Sequence, residues 1–203
     1  MLARFVGVLE TACVDFFCYH RDRRGSGDLR MQMLEEHWAY MDRYAAAMIA
    51  RGPTFTTDGT LTGSVHILTL DGPDASRAFA LDEPGYQAGI YRDVLIRRWH
   101  NTLGRTMWDV GVDQGDRECY LVLGFTPPLE VDPASPAPGG SVIVQGPLLS
   151  DDGSAVLGAA LLVETSDPRL ARDLLDAATY ADVEVHRWRP GGRPRGGRPH
   201  GTP

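Results

Sequence analysis

Cysteine is scarce in this chain, with three in 203 residues: Cys13, Cys18 and Cys119. An odd count without a Cys-x-x-Cys pair supports neither a disulfide framework nor a zinc knuckle, and reduced thiols fit best. A surplus of basic charge is also missing. The chain has 20 Lys and Arg against 27 Asp and Glu, a formal net charge of -7, which argues against nucleic acid as the main partner. Long apolar runs are absent as well. Phe5 to Leu9 mimics the start of a signal peptide, but Glu10 and Asp15 bracket it. A secretory hydrophobic region needs roughly 7 to 15 apolar residues, and a membrane span more. The expectation is a cytoplasmic protein without membrane contact. Around the glycines, Gly139-Gly140 included, no strand-to-helix phosphate signature occurs, and no metal-ligand spacing is present. Neither a cofactor nor a metal is expected, although His20, His37 and His66 form a conceivable trio.

What is present is an ordinary globular composition, 43% hydrophobic and 23% charged, that can bury a core. It also carries an internal echo. Gly52-Pro53, Thr57-Asp58-Gly59 and Gly63 before an apolar strand recur as Gly146-Pro147, Asp151-Asp152-Gly153 and Gly158 before another apolar strand. Further on, Asp93-Val94-Leu95-Ile96-Arg97-Arg98-Trp99 recurs as Asp182-Val183-Glu184-Val185-His186-Arg187-Trp188. Self-similarity of this kind sets the architecture before any motif does.

In the first copy, Cys13 to Tyr19 reads as a strand. From Asp28 to Ala50, Met31, Leu34, Trp38, Met41, Ala45 and Met48 recur at spacings of three and four, which predicts a helix stopped by Gly52-Pro53. A short strand over Thr54 to Thr57, an Asp58-Gly59 turn and a strand from Ser64 to Leu70 predict a hairpin. Gly72-Pro73-Asp74 opens a second helix, Pro84 breaks it, and Tyr91 to Trp99 closes the module. The order is βαββαβ, a ferredoxin-like α+β module. The second copy keeps strands near 119–125, 142–149, 156–164 and 183–189, and a helix from Pro168 to Ala178. It lacks the first helix, because Thr126 to Gly140 is loaded with Pro and Gly. The expected organisation is a complete module at 12–100, a packed linker at 101–116, a reduced module at 117–190 and a disordered basic tail at 191–203. The tail, without aromatic residues for stacking, reads as solubilising rather than as a nucleic-acid arm.

The first copy resembles the YciI-like (YCII-related) family from Ala12 to Trp99. The residues that carry the resemblance are Glu36-His37-Trp38-Ala39-Tyr40-Met41, Gly52-Pro53, Thr62-Gly63-Ser64, and Pro84 followed by Ala88-Gly89-Ile90-Tyr91. The resemblance implies sheets that pair into dimeric α+β barrels. It also implies an enzymatic site in which a helical histidine meets the acidic residue of an Asp-Pro step; one relative is described as a dehydrochlorinase. The histidine falls on His37. The Asp-Pro step falls on Glu83-Pro84, with Asp82 one place earlier, so alignment favours Glu83 and residue type favours Asp82. Tyr86, Tyr91, His66 and Pro53 are the candidate substrate contacts.

An imidazole titrates near neutral pH, and a hydrogen-bonded carboxylate fixes its tautomer. Such a pair suits general acid/base proton transfer, isomerisation or elimination on a small cyclic or carbonyl substrate. Against this stand blander readings. His37 flanks the apolar stripe and would then be a packed histidine, and Asp82-Glu83-Pro84 would be a turn ending a helix. The alternative function is a non-catalytic module that binds a small metabolite. The second copy cannot hold the pair, but its sheet can cover the first copy's open face, replacing a dimer; a homodimer of first copies is the competing arrangement.

Overall fold

The computed structural model describes residues 13–112, 118–130 and 142–193. Chain order is β1 (Val14–Asp22), α1 (Gly27–Gln32), α2 (Leu34–Asp42), β2 (Met48–Phe55), β3 (Leu61–Leu70), α3 (Pro73–Leu81), α4 (Pro84–Gln87), β4 (Tyr91–Trp99), β5 (Cys119–Leu129), β6 (Val142–Leu149), β7 (Val156–Glu164), α5 (Pro168–Arg172) and β8 (Asp182–Trp188). The eight strands close into one antiparallel barrel in the order β1-β3-β2-β8-β5-β7-β6-β4. Within it, β4-β1-β3-β2 forms one sheet and β8-β5-β7-β6 repeats the same order of strands. The fold class is the α+β one expected, and the paired-sheet barrel that the family resemblance implies is here closed by one chain.

Alternation along each strand divides the apolar residues between two sides. Phe17, Tyr19, Val65, Ile67, Leu121, Leu123 and Leu162 fill the barrel interior together with Met107 and Val112 of the connecting segment. Phe16, Cys18 and Leu68 point outward and are covered by Tyr40 and Met41 of α2 and by Phe79 and Ala80 of α3. A second outer layer over β5 and β7 is made by Ala171, Leu175 and Tyr180.

The two sheets meet at two short seams. Thr54 pairs with Trp188 and Phe55 with Arg187 at one, Arg98 with Leu149 and Trp99 with Leu148 at the other. The echoed Gly-Pro steps mark these seams. A Cβ on Gly52 would lie 1.9 Å from the Arg189 carbonyl oxygen, and one on Gly146 1.8 Å from that of His100. Only glycine lets the backbones approach so closely. Gly52-Pro53 therefore lies within β2 instead of stopping a helix. The continuous helix expected from Asp28 to Ala50 is interrupted at Met33 and ends at Asp42. Ala45–Ala47 makes a single 3-10 turn, and Met48 to Ala50 join the sheet, buried against β3. Pairing with β3 overrides the helix preference of Ala and Met.

The first hairpin turns where the sequence predicts it, and the second half departs further. The β2-β3 hairpin turns at Gly59, whose φ is +86°, the left-handed conformation that glycine adopts without strain. The helix expected at 168–178 stops at Arg172, and Asp176 instead accepts from the backbone N–H of Ala178 and the hydroxyl of Thr179. β5 runs on through Pro127 and Pro128 to Leu129; most of the segment expected to replace the missing helix lies outside the described residues. Gly191 to Arg193, placed by sequence in a disordered tail, pack on the first sheet. The N–H of Gly191 donates to the Arg51 carbonyl oxygen at 2.9 Å, and Arg193 pairs with Glu35 and Asp42 of α2. Residues 194–203 lie outside the described residues.

Candidate active site

A space is left between α2 and the sheet. The helix face carrying Leu34, His37, Trp38 and Met41, at the i, i+3, i+4, i+7 spacing of one helical stripe, walls a cavity of about 370 Å³. The floor is the outer face of β2 and β3, through Arg51, Pro53, Ser64 and His66. Arg30 and Met31 of α1 close one end, and Arg189 to Gly192, beyond β8, close another.

Glu83 enters this cavity because of the proline that follows it. A residue before proline is held out of the helical region, and Glu83 is extended at φ -62°, ψ 129°. It therefore becomes the N-cap of α4, with Pro84 in the first helical turn where a missing N–H costs nothing. Its Oε2 accepts from the Tyr86 backbone N–H at 2.7 Å, a capping bond. The other oxygen, Oε1, lies 2.9 Å from His37 Nδ1. The His37 side chain is 18% exposed and that of Glu83 is 0% exposed, so the pair joins a sealed carboxylate to a reachable ring. Burial disfavours the Glu83 carboxylate, but the His37 hydrogen bond and the adjoining positive partial charges outweigh it and hold its pKa below the usual range. Asp82, the other candidate acid, is the exposed C-cap of α3, and the His37 ring bonds to Glu83 instead.

Of the four candidate substrate contacts, His66, Tyr91 and Pro53 line the cavity. Tyr86 does not; it serves through its backbone N–H. Burial, and then the Glu83 charge, push the Tyr91 phenol well up. Gly85 is needed here, since a Cβ would meet Ile90 at 2.9 Å, Glu83 Oε2 at 3.0 Å and the Tyr91 hydroxyl at 3.1 Å.

Three histidines cluster here: His37 and His66 line the cavity, and His20 lies against His66. The His66 ring centroid lies 5.6 Å from those of both His37 and His20. His20, which reads as a strand-end residue in the sequence, is fully buried with Nε2 2.9 Å from the Ala80 carbonyl oxygen. Burial lowers its pKa to about 4 and sends that of His66 well below its ordinary value, so both rings are neutral near pH 7. Among the described residues no group of His, Cys, Asp and Glu could hold a metal ion.

Sequence reading did not find Arg30, Arg51, Arg189 or Trp38 as lining residues. Arg189 reaches the cavity only across a seam, which no local motif announces.

A family model describes the part of the chain that carries this geometry, matching residues 14–100 as a YCII-related domain. The match takes in the first sheet and its helices, 87 of the 203 residues. No curated protein matches the chain. Among solved structures, the 5-chloro-2-hydroxyhydroquinone dehydrochlorinase of Burkholderia phenoliruptrix AC1100, in complex with 2,5-dihydroxybenzoquinone, is 28% identical. That match covers 45% of this chain and 98% of the other at a TM-score of 0.41. An anthrone oxidase-like protein is 9% identical over 88% of this chain and 91% of its own, at a TM-score of 0.51. The second likeness is one of fold, and it extends past the YCII-related domain to the whole barrel. No helix among the described residues is long and apolar enough to cross a membrane.

Proposed function

We propose that the YCII-related domain is a small-molecule enzyme that transfers protons through His37, with Glu83 as its orienting partner. The observation that carries this reading is the 2.9 Å contact between His37 Nδ1 and a carboxylate buried beside an apolar cavity. An ionised Glu83 accepts the Nδ1–H, which leaves the Nε2 lone pair as the basic site and offsets the charge when Nε2 takes a proton. On a substrate with a hydrogen next to a carbonyl, Nε2 removes that proton and the C–H electron pair moves to the carbonyl oxygen. Where a double bond conjugates with the enolate, the Nε2–H returns the proton to the far carbon, giving isomerisation; where the neighbouring carbon carries a leaving group, the enolate electrons form the new C=C bond, the group departs with its bonding pair, and Nε2 gives up its proton to that group or to water, giving elimination. Neutral His20 and His66 suit this role, since positive charge there would oppose formation of the His37 imidazolium.

The second sheet, in this reading, takes the place of a second copy. Residues just after β8 wall the cavity of the first sheet, a position that a partner subunit would occupy in a two-chain barrel.

Proton NMR in D2O tests the chemistry with small phenols, lactones and keto acids. The wild-type chain is expected to exchange or eliminate the proton next to the carbonyl of at least one of them, and His37→Asn to lose that activity. Turnover that is indifferent to both His37→Asn and Glu83→Gln overturns the reading.

A further inference from the structure

The cavity holds more positive charge than its own residues neutralise. Arg30 is accounted for, donating to Asp22 and Ser64. Arg189 stands over the Phe55 ring, its guanidinium carbon 4.9 Å from the centroid. Arg51, on the floor, is different: its Nε is buried with no hydrogen-bond partner, and among the described residues its side chain makes no ion pair. Asp42, whose charge acts on it, is engaged by Arg193. Partial burial lowers the Arg51 pKa, and the Asp42 charge offsets this only in part. Beside it, across the β2-β3 pair, sits His66, whose Nδ1 is likewise buried and unpartnered among the described residues. The remaining walls are apolar: Met31, Leu34, Trp38, Phe55, Leu61 and Ile90.

We infer that Arg51 is the recognition residue for an anionic oxygen, carboxylate or phenolate, on a small ring compound that fills this cavity, with His66 hydrogen-bonding a neighbouring polar atom. A half-buried guanidinium whose Nε lacks a partner gains from an anion that reaches it, and its planar fork matches a carboxylate in two parallel bonds. A volume of about 370 Å³ is at the lower end for ligand sites and suits a single ring with one or two substituents. The apolar walls take the ring, and Arg51 fixes which end faces the floor. The inference rests on the cavity being the small-molecule site proposed above, but not on the proton chemistry of His37.

Isothermal titration of the full chain with benzoate and with benzyl alcohol, the same ring with and without the charge, separates these claims. Benzoate is expected to bind at least tenfold more tightly than the alcohol. Arg51→Gln is expected to weaken benzoate by tenfold or more while leaving the alcohol within about twofold, and Arg51→Lys to recover part of the loss. His37→Asn is expected to keep the benzoate preference. If both compounds bind equally to the wild-type chain, or if Arg51→Gln leaves benzoate affinity unchanged, the anion assignment is overturned and the small-molecule site survives. Binding of neither compound overturns both.

Discussion

His37 and Glu83 meet at 2.9 Å although 46 residues separate them and they sit on different helices. Helix α2 supplies the ring and the N-cap of α4 supplies the carboxylate. If the pair works as a base, His37→Asn lowers kcat by about 10²- to 10⁴-fold. Glu83→Gln does the same with less effect on KM, because it leaves the cavity shape intact. Asp82→Asn changes neither by more than about twofold. Steady-state kinetics on a substrate found by the D2O screen decides, and a large loss from Asp82→Asn would reassign the acid.

The stability of the chain is expected to fall on acidification through the range set by His20. Burial depresses its folded pKa from 6.5 to about 4. The unfolded state therefore binds a proton more readily, so the contribution of the neutral ring is complete above pH 6.5 and is lost as pH falls toward 4. The depressed pKa of His66 acts in the same direction, and so does that of Glu83 at lower pH. Between pH 7.5 and pH 5, His20 alone accounts for a loss on the order of 2 kcal/mol. Urea unfolding at the two pH values measures it, and His20→Gln should flatten the difference. An equal acid loss in wild type and variant would remove His20 from the account.

How much of this was written in the sequence depends on whether the signal is local. The strands of both sheets, the β2-β3 turn and His37 are legible because alternation, Asp58-Gly59 and the Glu36-to-Met41 motif each act within a few residues. The choice between Asp82 and Glu83 was also legible in principle, since Pro84 forces its neighbour to be extended and to cap. The stripe of Met31, Leu34, Trp38 and Met41 reads as helix core in the sequence, yet all four line the cavity, a distinction that periodicity does not make. Gly52 and Gly146 were recognisable as an echo but not as seams. Their role depends on the backbones at Arg189 and His100, more than 100 residues away in one case. The same distance hid Arg189 and Gly191 as walls and left the pairing of Arg51 undetermined.

The seam at Gly52 gives a stability test. Gly52→Ala drives a methyl into the Arg189 carbonyl and should cost roughly 1 to 3 kcal/mol or more. Gly27→Ala is the control, because nothing lies within 4 Å of its added Cβ and alanine favours a helix. Thermal melts should show the first variant lowered by several degrees and the second unchanged or slightly raised. A Gly52→Ala melt that matches wild type would mean that the seam is loose.

Closure of the barrel within one chain predicts the mass in solution. Each strand has two neighbours in the sheet order, which leaves no edge to template pairing with another copy. Light scattering should therefore give a mass near 22.2 kDa over a wide concentration range. A mass of twice that, independent of dilution, would favour the arrangement in which first sheets pair between chains.

Arg193 ties the segment after β8 to α2. It donates to Asp42 at 2.7 Å and to both oxygens of Glu35 at 2.9 and 2.6 Å, and its guanidinium carbon lies 5.6 Å from the Trp38 ring centroid. Isolated exposed ion pairs contribute little, but a two-oxygen fork within a network holds its geometry better. Arg193→Ala is expected to leave the melting temperature almost unchanged, since the barrel does not depend on this contact. It should speed amide exchange at Gly191, whose N–H donates to the Arg51 carbonyl, because local opening then costs less. It should also weaken benzoate modestly, as residues 189–192 wall the cavity and Gly192 packs against the Arg51 guanidinium. High salt should mimic the variant by screening the same pairs. Gly191 exchange that is insensitive to both changes would show that the seam, and not the Arg193 contact, holds the segment down.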